Sequence, residues 1–175
     1  MNTQPRPDAA EFADFVAARG TSLLRLARLA CGSRDDAEDV LQTSLERAYR
    51  HWPKIHPGAD PEPYVRRIII NAAISRARRR AILRILPYGT LPEPALSDQT
   101  SGVELRQILI VGLRALPSRQ RAVLVLRFWE DLTEAQTAEV MGCALGTVKS
   151  LTSRGLARLR TLIDVDLMEG VTNDA

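Results

Sequence analysis

The sequence has few of the residues on which metal sites, disulfide frameworks and catalytic centres depend. It contains two cysteines and two histidines among 175 residues. Cys31 and Cys143 lie far apart with no paired spacing, which favours two small packed thiols in a reducing compartment. His51 and His56 have no acidic or cysteine neighbours at ligand spacing. Because a phosphate-binding glycine loop and a nucleophile constellation are missing too, we expect no metal, no cofactor and no catalytic activity.

Long apolar runs are also missing. No stretch approaches the roughly 18 residues of a membrane span. The opening "MNTQPRPDAA" has no apolar core of the kind that a signal peptide carries. An apolar content of 45% is still sufficient for compact cores. These features predict a folded, soluble and cytoplasmic protein that does not insert into a membrane.

Three long helices are predicted in the first half of the chain. The first begins near Asp8 and runs through "AEFADFVAARGTSLLRLARLA". The second, "RDDAEDVLQTSLERAYRHW", has Ser33 as its N-cap and is expected to stop at Pro53. The third, "YVRRIIINAAISRARRRAILRIL", has Asp60 as its cap. The apolar stripe of the second helix, expected in the core, consists of Ala37, Val40, Leu41, Leu45, Ala48, Tyr49 and Trp52.

A stretch rich in proline and glycine divides the chain. Residues 87–102, "PYGTLPEPALSDQTSG", contain three prolines and two glycines with little apolar periodicity, which is typical of a flexible linker. We therefore expect two small helical domains, 8–86 and 103–163, of which the second has four helices. Every well-defined segment is helical, so the predicted fold class is all-α.

Positive charge is concentrated in two segments. The formal net charge is only +3, so any attraction to nucleic acid has to come from local clusters. The stretch from Tyr64 to Leu86 has seven arginines and no acidic residue, and the stretch from Gly146 to Arg160 has four basic residues and no acidic one. Each is either a nucleic-acid surface or an ordinary solvated helix face.

The second basic segment follows a helix-turn-helix pattern. Thr133 and Gln136 form a capping box that opens a short helix, and Gly142 ends that helix in a sharp turn. The next helix starts near Thr147, and in such a motif it enters the DNA major groove. The residues expected to face DNA are Lys149, Ser150, Leu151, Ser153 and Arg154. Those expected to face inward are Val148, Thr152, Gly155, Leu159 and Leu162.

The polar face of the second helix is open to two interpretations. Its residues are Asp39, Gln42, Thr43, Glu46 and Arg50. Periodicity alone favours an ordinary exposed surface, and the alternative is a docking face for a protein partner. Near the arginine-rich helix, Trp52 and Tyr49 are more typical of core residues than of platforms for base stacking.

With both halves considered, the chain resembles a bacterial group 4 sigma factor of the extracytoplasmic-function type, most of all the actinobacterial SigE-like subfamily. The resemblance spans roughly Phe12 to Leu162. In the first half it depends on "DDAEDVLQTSLERAYRHW" and "YVRRIIINAAISRARRR". In the second half it depends on "ALPSRQRAVLVLRFWEDLTEAQTAEVMGCALGTVKSLTSRGLARLR".

The resemblance implies a function and a set of partners. Region 2 would bind the β′ clamp helices of core RNA polymerase through Asp39, Gln42 and Glu46. It would also open the −10 element of promoter DNA at Asn71, Arg76, Arg78 and Arg79, with the loop 53–63 holding a flipped base. Region 4 would touch the β flap and read the −35 duplex through Thr147, Lys149, Ser150, Ser153 and Arg154. Control by a separate anti-sigma factor is an expectation at the level of the family only.

The sequence departs from the family pattern at five positions. Thr43 replaces a common glutamate, Ser75 an aspartate and Tyr64 a tryptophan. Leu151 stands where many relatives have arginine, and Gly155 where alanine is usual. Gly155 is expected to cost up to about 1 kcal/mol in helix propensity.

The residues by themselves leave two other classes of protein open. A free-standing helix-turn-helix regulator would bind a specific duplex unaided, commonly as a dimer. A helical adaptor that binds only proteins would keep its activity after charge reversal at Lys149 and Arg154. A sigma factor, in contrast, has two weak DNA sites on one linker, so the isolated protein is expected to bind promoters poorly.

Overall fold

The computed structural model describes residues 7–55, 60–84 and 101–172, with side chains for 9–55, 60–82 and 107–164. All the regular structure in these ranges is helical, which confirms the predicted all-α class. The elements are α1 (Pro7–Cys31), α2 (Arg34–Ile55), α3 (Glu62–Arg84), α4 (Ser101–Ala115), α5 (Ser118–Leu124), a π-helical turn (Val125–Trp129), α6 (Glu134–Met141) and α7 (Leu145–Thr172).

The N-terminal unit consists of α1, α2 and α3, and each of these helices packs against the other two. Every fourth residue of α2 from position 36 faces inward, because four residues are close to one helical turn. At one end, Trp52 is only 1% exposed and lies 5.0 Å from Phe12 and 5.2 Å from Phe15 between ring centroids. Trp52 is therefore a core residue, as its position on the apolar stripe predicted. Tyr49 packs against Phe12 with the two rings tilted by 53°, but it is 45% exposed, so the prediction that Tyr49 lies in the core is wrong.

Of two predicted helix boundaries in this unit, one is confirmed and the other is wrong. Asp60 is confirmed as a cap, because its Oδ1 accepts a hydrogen bond from the backbone N–H of Glu62 at 3.0 Å. The prediction that Pro53 ends α2 is wrong, since the helix continues to Ile55. Proline removes one helical hydrogen bond. Pro53 is exposed and lies in the last turn, where water can satisfy the carbonyl that is left free. Residues 56–59 of the predicted loop lie outside the described residues.

The C-terminal unit consists of α4 to α7, the four helices expected. Gly155 is buried where α7 crosses α5, and a Cβ there would lie 3.2 Å from Cγ and Cδ1 of Leu124. The lost helix propensity of this glycine is thus offset by close helix packing. Helix α4 begins at Ser101, two residues before the predicted domain start, and residues 87–100 of the predicted linker lie outside the described residues.

The two units pack against each other. Helix α3 contacts α5 and α6, and α1 contacts α4 and α5, so the buried apolar residues form one cluster through both units. Polar contacts cross the same interface. Arg66 Nε donates to Glu130 Oε2 at 2.7 Å, and both side chains are largely buried.

Arg121 makes the most extensive of these contacts. Its guanidinium donates to the carbonyl oxygens of Ala30 at 2.8 Å and Cys31 at 3.1 Å, at the C-terminal end of α1. It also donates to the carbonyls of Arg114 and Leu116 within its own unit. Arg121 is 5% exposed, and this burial lowers the pKa of its guanidinium. A cation at a helix C-terminus is favourably placed, so Arg121 both caps α1 and joins the units.

Candidate nucleic-acid and polymerase interface

The helix-turn-helix is assembled as the capping residues predicted. Thr133 Oγ1 accepts from the Gln136 N–H at 3.2 Å, and Gln136 Oε1 accepts from the Thr133 N–H at 2.8 Å, which completes the capping box. At the other end of α6, Gly142 has a φ of 60°, a left-handed conformation that suits glycine. Helix α7 begins three residues later, at Leu145. The geometry confirms the predicted motif.

The early turns of α7 present polar side chains to solvent. Lys149, Ser150, Ser153 and Arg154 are exposed, and Thr147 is half-buried at the edge. Arg154 Nη2 donates to Ser150 Oγ at 2.8 Å, so these two side chains are held together. Lys149 Nζ lies 3.8 Å from Glu134 Oε2, a loose and solvent-exposed ion pair that is worth little energy. These donors are thus available to a ligand.

Leu151 does not belong to this exposed set. The prediction that it faces outward is wrong, because it is only 7% exposed and belongs to the core cluster. The reason is its helical position, three residues after buried Val148 and four before buried Gly155, which places all three on one face. A leucine at this position packs inward instead of meeting DNA.

The arginine-rich helix α3 presents only part of its positive charge. Arg78 and Arg79 are exposed, and no described residue forms an ion pair with either. Arg76 is different, since its Nε and Nη2 donate to Asp36 and Asp39 of α2. The hydrogen bond to Asp36 is the main reason why the pKa of Arg76 is raised. Asn71 is exposed, and its Nδ2 donates weakly to the Val140 carbonyl of α6 at 3.4 Å.

The polar face of α2 carries the residues expected to bind polymerase. Asp39, Gln42 and Glu46 are all exposed. Gln42 Nε2 donates to Glu46 Oε1 at 3.4 Å, and Asp39 Oδ2 accepts from Arg76 Nη2 at 2.8 Å. The expected polymerase face and the arginine-rich helix therefore meet at the Asp39–Arg76 pair.

The sequence analysis did not identify Asp36 or Arg121. Asp36 could have been found, because it stands at the head of the inward row that continues with Val40 and Ser44. No sequence signal marks Arg121, since its partners are backbone carbonyls of a distant helix. Cys31 lies beside both residues, and burial raises the pKa of its thiol from 9.0 to about 11. It is therefore an inert thiol.

The described residues were compared with the requirements of a metal site and of a membrane-spanning helix. Within the side chains that the structure describes, no group of three or more His, Cys, Asp or Glu could hold a metal ion. Among the helices of the described ranges, none combines the length and the apolar composition that crossing a bilayer requires. A helix-turn-helix with exposed donors, beside an arginine-rich helix, instead defines a helical DNA-binding protein.

Comparison with known proteins gives the family. Residues 15–82 match the family "Sigma-70 region 2", and residues 106–159 match "Sigma-70, region 4". The RNA polymerase sigma-E factor of Streptomyces coelicolor is 39% identical over 150 residues, which cover 86% of this chain and 84% of the relative. The ECF sigma factor SigM of Mycobacterium tuberculosis is 35% identical over 141 residues, which cover 81% of this chain and 71% of the relative.

A solved structure supports the same assignment. The sigma factor RpoE from Bartonella quintana, crystallised with the anti-sigma factor NepR, has a TM-score of 0.73 and 25% identity, with 89% of this chain and 98% of that chain covered. The chain belongs to the sigma-70 family and is an extracytoplasmic-function, SigE-like sigma factor. Sigma factors of this family bind core RNA polymerase and direct promoter-specific transcription initiation, and that is the function of this chain. Region 2 is contained in α1 to α3, and region 4 in α4 to α7.

Proposed function

We propose that this sigma factor reads the −35 element as duplex DNA with the start of α7, through Thr147, Lys149, Ser150, Ser153 and Arg154. The exposed donors that follow the capped turn carry this proposal. Lysine and arginine can donate to guanine edges and phosphates, and serine hydroxyls can bond to either. Arg154 holds Ser150 by a hydrogen bond, which reduces the entropy that both side chains lose on binding.

The −10 element is proposed to bind along α3, at the surface formed by Asn71, Arg76, Arg78 and Arg79. The support for this surface is the exposure of the arginines at positions 78 and 79. A cationic helix attracts the phosphates of a separated strand, and unpaired bases are then held by local pockets.

The docking face for core polymerase is proposed to be the exposed side of α2, with Asp39, Gln42 and Glu46 against the β′ clamp helices. Two carboxylates and an amide on one exposed face suit a basic partner surface. Region 4 is proposed to contact the β flap. In this scheme the protein has no catalytic activity of its own and acts in the cytoplasm.

The packing of the two units has a consequence for promoter binding. Asn71 in region 2 touches Val140 in α6, the helix that precedes the proposed −35 reader. Positions −35 and −10 are about 25 base pairs apart, or about 85 Å at 3.4 Å per base pair. One packed molecule cannot reach both elements. We therefore infer that the units separate when core polymerase binds, and that the isolated protein binds promoters poorly.

An anti-sigma factor is proposed as a further partner, because the RpoE relative was crystallised with one. A groove of about 730 Å³ lies between α1 and region 4, with apolar walls that include Leu29, Leu113 and Leu159. Phe128 and Trp129 line it and are 62% and 50% exposed. An anti-sigma factor seated there would bury both rings and hold the units in their packed arrangement.

The experiment that tests this function is transcription with core RNA polymerase free of other sigma factors. Sheared bacterial genomic DNA serves as the template, and transcript starts are mapped. We expect discrete starts that share spaced upstream elements. The double variant Lys149→Glu/Arg154→Glu should abolish them, whereas Arg158→Glu/Arg160→Glu, with the same charge change further along α7, should retain them.

Two outcomes would contradict the proposal. If a polymerase that is active with another sigma factor gives no starts with this protein, the sigma function fails. If both double variants lose transcription equally, net charge and not the early turns of α7 is responsible, and the assignment of the −35 residues fails.

A further inference from the structure

A buried carboxylate joins α2 to the arginine-rich helix. The side chain of Asp36 is 5% exposed. Its Oδ1 accepts from Arg76 Nε at 2.6 Å, and its Oδ2 lies 2.5 Å from Arg80 Nη1. Arg76 Nη2 donates to Asp39 Oδ2 at 2.8 Å. Two guanidinium groups of α3 are thereby matched by two carboxylates of α2.

Helical geometry separates these arginines from Asn71 and Arg78. Each residue turns an α-helix by about 100°. Arg76 and Arg80 are four residues apart, so they share the face of α3 that meets α2. Asn71 and Arg78 are seven residues apart and share a different face, about 20° from each other, whereas Arg76 is about 140° from Asn71.

The net charge of this cluster also favours Arg78 and Arg79 as the phosphate contacts. The four-residue cluster of Asp36, Asp39, Arg76 and Arg80 has no net charge, so it attracts DNA phosphates weakly. Arg78 and Arg79 are exposed and have no ion-pair partner among the described residues. Like the exposed Arg67 earlier on α3, they carry a charge that a phosphate can meet without first breaking a protein contact.

We propose that Asp36 is a positioning residue, which keeps Arg76 and Arg80 on α2 and leaves Arg78 and Arg79 to contact phosphates. This inference depends on the proposal that α3 binds the −10 element. It changes the role of Arg76 there from a phosphate contact to a contact with α2. Because Asp39 belongs to the proposed polymerase face, the same cluster fixes the orientation of the DNA surface relative to that face.

The test is the salt dependence of binding between the full chain and a labelled single-stranded DNA of random sequence and 20 nucleotides, followed by fluorescence anisotropy. For single strands the slope of log K against log salt is about 0.7 per neutralised phosphate. We expect Arg78→Gln and Arg79→Gln each to reduce the slope by about 0.7. The matched variant Arg76→Gln should reduce the slope by less than either of these, and Arg47→Gln, a control on an exposed arginine of α2, should leave it unchanged.

Asp36→Asn should change the slope in the direction opposite to Arg78→Gln and Arg79→Gln. It leaves Arg76 paired with Asp39 alone and removes the acidic partner of Arg80, so the slope should become steeper, an outcome that a merely structural role would not produce. Circular dichroism establishes that this variant is folded. If it is not folded, the comparison of Arg76→Gln with Arg78→Gln decides the question.

The proposal is overturned if Arg76→Gln reduces the slope as much as Arg78→Gln, or if neither variant changes it. It is also overturned if folded Asp36→Asn keeps the original slope. These results are independent of the transcription assay. A failure of transcription would remove the sigma function, whereas equal slopes would remove only the positioning role.

Discussion

The two regions proposed to bind DNA organise positive charge differently. In region 4 the basic side chains of α7 extend into solvent, and Lys149 has only a loose ion pair at 3.8 Å. In region 2 the arginines at positions 76 and 80 are held by carboxylates at 2.5 to 2.8 Å. A reader of intact duplex needs donors that can adjust to base edges. A surface that captures separated strands next to polymerase needs a fixed orientation, which we propose that the ion-pair cluster supplies.

Arg121 is buried at the interface between the two units, whereas the arginines of the proposed DNA surfaces are more exposed. Substitution of Arg121 is expected to have the largest effect on stability. Arg121→Met keeps an unbranched apolar stem but leaves four carbonyl groups without their donor. We expect the free energy of unfolding to fall by about 3 kcal/mol in urea titrations. Arg119→Met, at an exposed position two residues earlier, should change it by less than about 0.5 kcal/mol. Equal effects of the two variants would mean that the contacts with α1 do not stabilise the chain.

The Arg66–Glu130 pair tests the interface without disturbing either core. Glu130→Gln removes the charge from a largely buried hydrogen bond of 2.7 Å. We expect a loss of about 1.5 kcal/mol in the same titrations. Glu139→Gln, on the exposed side of α6, should be neutral and serves as the control. An unchanged unfolding curve for Glu130→Gln would show that this pair contributes nothing to the packing of the units.

A smaller effect is expected within region 4 alone. Thr133→Ala removes the hydroxyl that accepts from the Gln136 N–H at the start of α6. Loss of an N-cap side chain destabilises by about 1 kcal/mol. Thr161→Ala, in the exposed middle of α7, is the control. If the two threonine variants unfold at the same urea concentration, the capping box does not stabilise the motif.

The last effect depends on pH and concerns the thiol of Cys31. Its pKa is raised to about 11, so the folded chain holds this proton more tightly than the unfolded chain does. The stabilisation is complete below pH 9 and is lost as the pH rises toward 11, and at pH 10 it should have fallen by about 1 kcal/mol. Cys31→Ala should lack this part of the decline. A wild-type curve that matches the alanine variant between pH 9 and 11 would contradict the assignment.

Local patterns in the sequence predicted most of the fold. The capping box at Thr133, the left-handed turn at Gly142 and the cap at Asp60 depend on neighbouring residues, and all three are confirmed. The prediction that Leu151 faces outward is wrong because it disregards the spacing of three residues from Val148, which places both side chains on one face. The sequence predicts that Pro53 ends α2, and this is wrong because a sequence does not show that the last turn of the helix is exposed.

Contacts between distant segments were not predicted. Arg121 bonds to carbonyls about 90 residues earlier in the chain, and backbone acceptors have no residue signature. Asp36 has the sequence context of a helix N-terminus, where an acidic residue is favourable for a local reason. That local explanation concealed its second role as the partner of two arginines on α3. The proposed DNA and polymerase contacts remain predictions, which the experiments above address.

Separation of the two regions on core polymerase is the central claim, and resonance energy transfer measures it directly. Dyes at Ala17→Cys on α1 and Thr161→Cys on α7, in a Cys31→Ala/Cys143→Ala background, report the distance between the units. We predict high transfer in the free protein and a large drop when core RNA polymerase is added. Unchanged transfer in a holoenzyme that initiates transcription would contradict the claim, because the packed arrangement would then be the active one.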